Sequence, residues 1–195
     1  MHLFEESTMR IIWMGAAAAA AALSAGCSEV STPYPVGTPV SHEEAEAFNG
    51  TWQLEEGLVH LRHVGGGRII TAAAEWDGKK GRFELVQDTL VLGRINDGMV
   101  VNLPKDDEWD RYDFALVQLL EHGHLLAWEP RVEAFAEAMA RGELEGTIHP
   151  VSSTAQEVRI TSGKAAFDAF LAEQSWSDMF DLKRPIILRR VGPGS

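Results

Sequence analysis

The chain has one cysteine, Cys27, in 195 residues. A lone thiol excludes an internal disulfide and any thiolate-rich zinc site, so the fold must stand on packing. Basic charge is also scarce. Seventeen Lys and Arg face 29 Asp and Glu, for a net charge of −12. That balance excludes a phosphate-gripping surface, so nucleic acid is not an expected partner. Motifs of catalysis are missing as well: there is no G-x-S-x-G, no phosphate-cradling glycine loop and no H-E-x-x-H. No apolar run reaches the ~20 residues that a membrane-crossing helix needs. The longest, Ile11 to Ala25, has about 15 and is mostly alanine.

That run is nonetheless the most informative segment. Arg10 precedes it, alanines 16–22 fill its centre, and Ser24-Ala25-Gly26 lead to Cys27. Charge, apolar core and small residues follow the order of a secretory signal. Ser24-Ala25-Gly26-Cys27 resembles the lipobox of bacterial lipoproteins, with Ser24 where the commonest pattern has leucine. The resemblance implies cleavage before Cys27, a diacylglycerol thioether on its sulfur and an acylated amine. Two or three acyl chains hold a protein stably on a bilayer. Ser28, not being aspartate, implies export to the outer membrane, facing the periplasm. Glu5-Glu6 do not suit a signal's start, whereas Met9-Arg10-Ile11 does, so translation is expected to begin at Met9.

Three segments follow. Residues 1–26 are expected to be a signal peptide. Residues 27–40, with Pro33, Pro35 and Pro39 among small polar residues, read as a lipidated terminus and flexible tether. Residues 41–195 have the length of a single β-rich domain. Residues 1–26 hold Glu5, Glu6 and Arg10, so the remainder carries 27 acids against 16 bases. This acidity is spread along the chain, as on a solvated surface.

Short apolar stretches alternate with turn residues through the domain. Strands are expected at Gly50-Thr51-Trp52, Leu58–His63, Arg68–Trp76, Arg82–Leu92, Met99–Leu103, Tyr112–Leu120, His124–Trp128 and Pro185–Val191. Glycine-bearing turns lie at 65–67, Asp77-Gly78, 95–98 and His122-Gly123. The stretch 112–120 is apolar on both faces: Phe114, Leu116 and Leu120 on one, Ala115, Val117 and Leu119 on the other. Such a strand must be covered on both sides. Two short helices are expected, at about 131–141 and 163–174. Pro130 suits the start of the first and Gly142 its stop. Thr161 or Ser162 suits the cap of the second. Either helix could cover the outer face of the two-faced strand.

Gly50-Thr51-Trp52 resembles the G-x-W signature of lipocalins. In that family the tryptophan plugs one barrel end and an arginine of the last strand packs over it. The resemblance makes Trp52 the plug and Arg189 or Arg190 its partner, through a cation–π contact. More broadly the chain looks like a class of bacterial lipocalin-like proteins to which no activity is attached. The shared pieces are Gly-x-Trp, a late helix (Thr161 through Leu171) and a strand ending in Leu188-Arg189-Arg190. The expected fold is therefore mostly β, an antiparallel lipocalin-like barrel or curled sheet with two short helices.

Other candidates read as ordinary structure. His60 and His63 point to opposite faces of a strand and cannot share a metal. His122 and His124 flank a turn glycine. Asp106, Asp107, Glu108, Asp110 and Asp113 lack the spacing of a calcium loop. Ser152-Ser153-Thr154 near His149 have no defined acid. No catalytic residue, metal or cofactor is assigned. The expectation is a cell-envelope lipoprotein held on the bilayer through Cys27, acting as a binding or interaction module. A small apolar ligand or an envelope protein would be its partner; the alternative is a structural subunit with a filled core. Ala72 and Ala74 could leave a cavity, and Phe83, Phe114, Leu116 and Trp128 could fill it.

Overall fold

The structure, a computed structural model, describes residues 29–54, 57–77, 80–105, 108–152 and 155–192. The expected signal peptide, Cys27 and Ser28 lie outside these residues. So do Gly78, Asp106, Asp107, Ser153 and Thr154 of the expected turns and clusters.

Eight antiparallel strands close into a barrel. In chain order they are β3 (Gly50–Leu54), β4 (Gly57–Gly65), β5 (Arg68–Asp77), β6 (Arg82–Ile95), β7 (Gly98–Lys105), β8 (Glu108–Leu120), β9 (His124–Trp128) and β12 (Ile186–Val191). Neighbours in sequence pair as hairpins from β3 to β9. The last strand seals the ring by entering between β3 and β9, with Arg190 opposite Trp52 and Ile187 opposite Leu126. Closure removes the exposed strand edges that an open sheet would carry.

The N-terminal segment corrects the expectation of a tether. Strands β1 (Glu29–Thr32) and β2 (Thr38–Pro39) both join the sheet. Strand β1 pairs antiparallel with β8, and parallel with β11 (Gln156–Ile160), which in turn pairs with β10 (Gly146–Pro150). Val30 and Val36 are fully buried. Two valines removed from water contribute a few kcal/mol that a solvated linker forgoes. Long strand β8 makes this possible. On one edge its C-terminal half bonds β9, while Tyr112 and Asp113 bond β1. The sheet thus leaves the barrel at β8 as a three-strand tail, β1-β11-β10.

Two apolar cores result. The inner one fills the barrel and includes Trp52, Val59, Leu61, Ile69, Leu92 and Val117. The outer one lies between the barrel wall and the helices α2 (Val132–Ala140), α3 (Lys164–Glu173) and α4 (Trp176–Met179). Phe114 and Leu116 belong to the outer core, whereas Ala115, Val117 and Leu119 belong to the inner one. The two-faced strand is therefore covered on both sides, as its sequence required. Phe114 meets Phe135 of α2, Phe167 of α3 and Phe180 edge-on, at centroid distances of 5.9, 5.9 and 6.1 Å. Edge-to-face contacts add to the burial of the rings.

Helix ends differ in detail from the sequence reading. Val132 is the first residue of α2, and Pro130 instead bridges to Phe180. Gly142, at φ +75°, ends it in the left-handed conformation that glycine adopts without strain. The N-cap of α3 is Gly163, with no side-chain cap. Ser162 serves elsewhere, its Oγ accepting from Glu145 N at 2.7 Å. A further helix, α1 (His42–Glu46), has a complete capping box. Glu44 N donates to Ser41 Oγ at 3.2 Å, and Ser41 N donates to the Glu44 carboxylate at 2.9 Å.

Candidate binding site in the barrel interior

Inward and outward residues alternate along each barrel strand, which decides what fills the interior. On β5, Ile69, Thr71 and Ala73 face in and are buried. Ala72 and Ala74 face out, so they leave no cavity. Of the expected fillers, Phe83 is 70% exposed on the outside, and Phe114, Leu116 and Trp128 lie in the outer core. The large side chains that could have blocked the barrel are thus spent elsewhere. What remains inside is mostly Leu, Ile, Val and Ala, and these leave a cavity.

That cavity is lined only by apolar residues, including Phe48, Leu61, Ile69, Leu103, Ala127 and Ile186. The centre of a water-sized sphere sweeps about 50 Å³ within it. By comparison, an apolar cavity of ~150 Å³ accepts benzene. The space is about a third of that, so a bulky ring does not fit it. Thr71 adds one polar feature to the same inward row. It is fully buried, and its Oγ1 has no hydrogen-bond partner among the described residues. An unpaired buried hydroxyl costs ~1–3 kcal/mol until something accepts from or donates to it.

One barrel end is shut. Trp52 is wholly buried and its Nε1 donates to Phe48 O at 2.9 Å. The Arg190 guanidinium lies 4.5 Å from the centre of the Trp52 ring. Its nitrogens donate to Asn49 O at 3.0 Å and Ala47 O at 2.5 Å. These bonds fix the cation over the indole face, where the ring quadrupole attracts it. Strand parity chooses between the two arginines. Arg190 shares the inward side with Leu188, whereas Arg189 points out and is exposed.

A charged group gathers on the inward face where β8 meets β1. Arg111 donates to Ser31 Oγ and to Glu157, the latter at 2.5 Å, and Arg159 reaches Glu157 at 2.9 Å. Lys105 pairs with Glu29 and lies 3.6 Å from Asp113. Among the described residues three cations face three carboxylates, and the pairs offset each other's charge. Burial pushes Glu157 up, but hydrogen bonds from Arg159 and Arg111 outweigh it and hold the carboxyl at about 2. Asp113 goes the other way. Burial raises it to about 6, and Lys105 only partly opposes this. Sequence reading grouped Asp113 with the acidic residues 106–110 and gave it no role; it lies opposite Ser31 of β1, whose pairing no local pattern announced.

The histidines separate as follows. His60 faces out and lies 3.2 Å from the Thr51 hydroxyl. His63 is half-buried and its ring lies tilted against that of His42 of α1. His122 is exposed in a turn and His124 opens β9. His149 is exposed on β10, 3.0 Å from the Thr147 hydroxyl.

The architecture is a closed eight-stranded antiparallel barrel, consistent with a lipocalin-like fold. Comparison with family models, curated proteins and solved structures finds no match to this chain.

Proposed function

We propose that this protein is a cell-envelope lipoprotein, anchored through Cys27, whose barrel binds one slender apolar chain. The observation that carries the reading is the cavity: wholly apolar walls inside a barrel shut at one end by Trp52 and Arg190. Apolar walls select by burial rather than by hydrogen bonds, and ~0.8 kcal/mol per buried methylene accumulates along a chain. Thr71 Oγ1 offers a single polar contact on that inward face. An acyl chain fits this chemistry better than a sugar, nucleotide or peptide does. Attachment through Cys27 would hold the barrel beside a bilayer, where such chains are abundant.

The test is twofold. Protein isolated from its native membranes is extracted and analysed by mass spectrometry for a non-covalent acyl species. Binding of a fluorescent polyene fatty acid is then measured for the parent and for Ala127→Phe, which fills the cavity. The expected result is a co-purifying chain, and fluorophore binding that the substitution abolishes in a folded protein. No co-purifying chain, together with fluorophore binding that Ala127→Phe leaves intact, would overturn the reading. A second reading, a partner subunit with no ligand, draws on the outer wall. There Leu58, Phe83 and Leu85 are 53, 70 and 75% exposed. They lie on β4 and β6, which flank β5, and a cluster of exposed apolar residues is a common feature of contact surfaces.

A further inference from the structure

We infer that His42, Glu46 and His63 form a binding site for a divalent transition-metal cation of the zinc class, clamping α1 to the barrel. His42 and Glu46 are one helical turn apart, so they share a face of α1. His63 comes from β4, which packs against that helix. Donor atoms of the three residues all lie within 4.8 Å of one another. His42 Nε2 is 3.0 Å from Glu46 Oε1, and the two imidazole rings are 4.8 Å apart, tilted by 59°.

The donor set decides the class of ion. Two imidazoles and one carboxylate suit Zn²⁺, Co²⁺, Ni²⁺ or Cu²⁺, whereas Ca²⁺ and Mg²⁺ require oxygen. Zinc holds its nitrogen and oxygen ligands at ~2.0–2.2 Å, so the three donors must draw together slightly on binding. The His42 and Glu46 side chains, 73 and 54% exposed, are free to do so. His63 is the fixed member. Its backbone N donates to Asn49 Oδ1 at 2.5 Å. Its Nε2 is shut from solvent with no hydrogen-bond partner among the described residues. A buried imidazole nitrogen without a partner is costly, and coordination of a cation is one way to satisfy it. Backbone rigidity comes from the capping box that starts α1 and from Ala45, which is fully buried beneath the helix.

The site has a consequence for the N-terminal arm. Strands β1 and β2 and helix α1 precede the barrel, and α1 lies beside the closed end formed by Phe48 and Trp52. A cation held by two residues of α1 and one of β4 would pin this arm to the barrel wall. Three protein ligands leave a fourth position for water or an outside donor.

The test uses full-length protein with any free Cys27 thiol alkylated, in metal-free buffer. Co²⁺ is titrated and its visible ligand-field band followed, then Zn²⁺ is added as competitor. One equivalent of Co²⁺ should bind, with the band removed by Zn²⁺. His42→Ala and Glu46→Gln, both at exposed positions, should each weaken binding by about tenfold or more, since even indirect partners of a metal site cost 10–100-fold. His63→Ala should do the same, while His122→Ala and His149→Ala should not. Thermal stability should rise with Zn²⁺ in the parent and not in His42→Ala. Absence of a ligand-field band at millimolar Co²⁺, or binding by His42→Ala and Glu46→Gln equal to the parent's, would overturn the inference.

Discussion

Asp113 is a carboxylate whose surroundings work against its charge. It is mostly buried, one of its oxygens has no hydrogen-bond partner among the described residues, and its nearest cation prefers Glu29. A folded-state value of about 6 against an ordinary 3.8 means that the native protein binds the proton more tightly than the unfolded chain does. The stability from this group is therefore full below about pH 4 and is lost as pH rises through about 6. Asp113→Asn removes the buried charge and keeps the shape. Denaturant unfolding should show a gain of about 1–2 kcal/mol at pH 7, and the stability lost by the parent between about pH 4 and 6 should disappear. A variant no more stable than the parent at pH 7 would show that Lys105 compensates the charge fully. Glu157 sets the opposite trend at lower pH, because its depressed value places the loss of its stabilisation toward about pH 2. At this scale sequence legibility was uneven. Trp52 with one of two arginines followed from a motif, and alternation along β12 chose Arg190. His42 gave no signal, since its partner His63 lies in another element and nothing local joins them.

At the scale of elements, β8 explains most of the architecture. Its apolar residues on both faces demand two cores, and α2 and α3 supply the second. Phe167 is fully buried between Phe114, Phe135 and Phe170. Phe167→Ala should cost about 3–5 kcal/mol by chemical denaturation. Near-ultraviolet circular dichroism should report looser packing of the outer aromatics. Because the barrel is closed without the helices, the fluorescence of Trp52, isolated by replacing the other five tryptophans with phenylalanine, should still report a burial typical of the native state. Loss of both signals together would mean that the two cores fold as one unit. The barrel hairpins and both main helices were legible because period and turn chemistry are local. Strands β1, β10 and β11 were not. Glu29–Thr32 is four residues before a Pro-rich stretch, and its partners lie about 80 and 130 residues further on. Only the docking of those distant segments makes it a strand.

The whole molecule joins a barrel to an N-terminal arm that is part of the sheet from Glu29 onward. The distance between Cys27 and the folded body is therefore two residues, not the dozen of a free tether. If Cys27 carries lipid, the β1 end of the sheet sits against the bilayer surface. Cys27→Ala should move the protein from the membrane pellet to the soluble fraction without loss of its circular dichroism spectrum. Retention in the pellet after high-salt and carbonate washing would assign the attachment to another surface, with Leu58, Phe83 and Leu85 the first to test. No helix among the described residues is long and apolar enough to cross a membrane.

The sequence by itself determined the β-rich class, the turns, the two main helices and the need for two cores. Each of these follows from side-chain period or backbone preference over a few residues. Tertiary structure alone decided that the sheet closes, that the arm belongs to it, that Phe83, Phe114 and Trp128 lie outside the barrel, and that His42 meets His63. Those outcomes depend on which face each strand turns inward once distant edges have paired, and that choice is made only when the whole sheet forms.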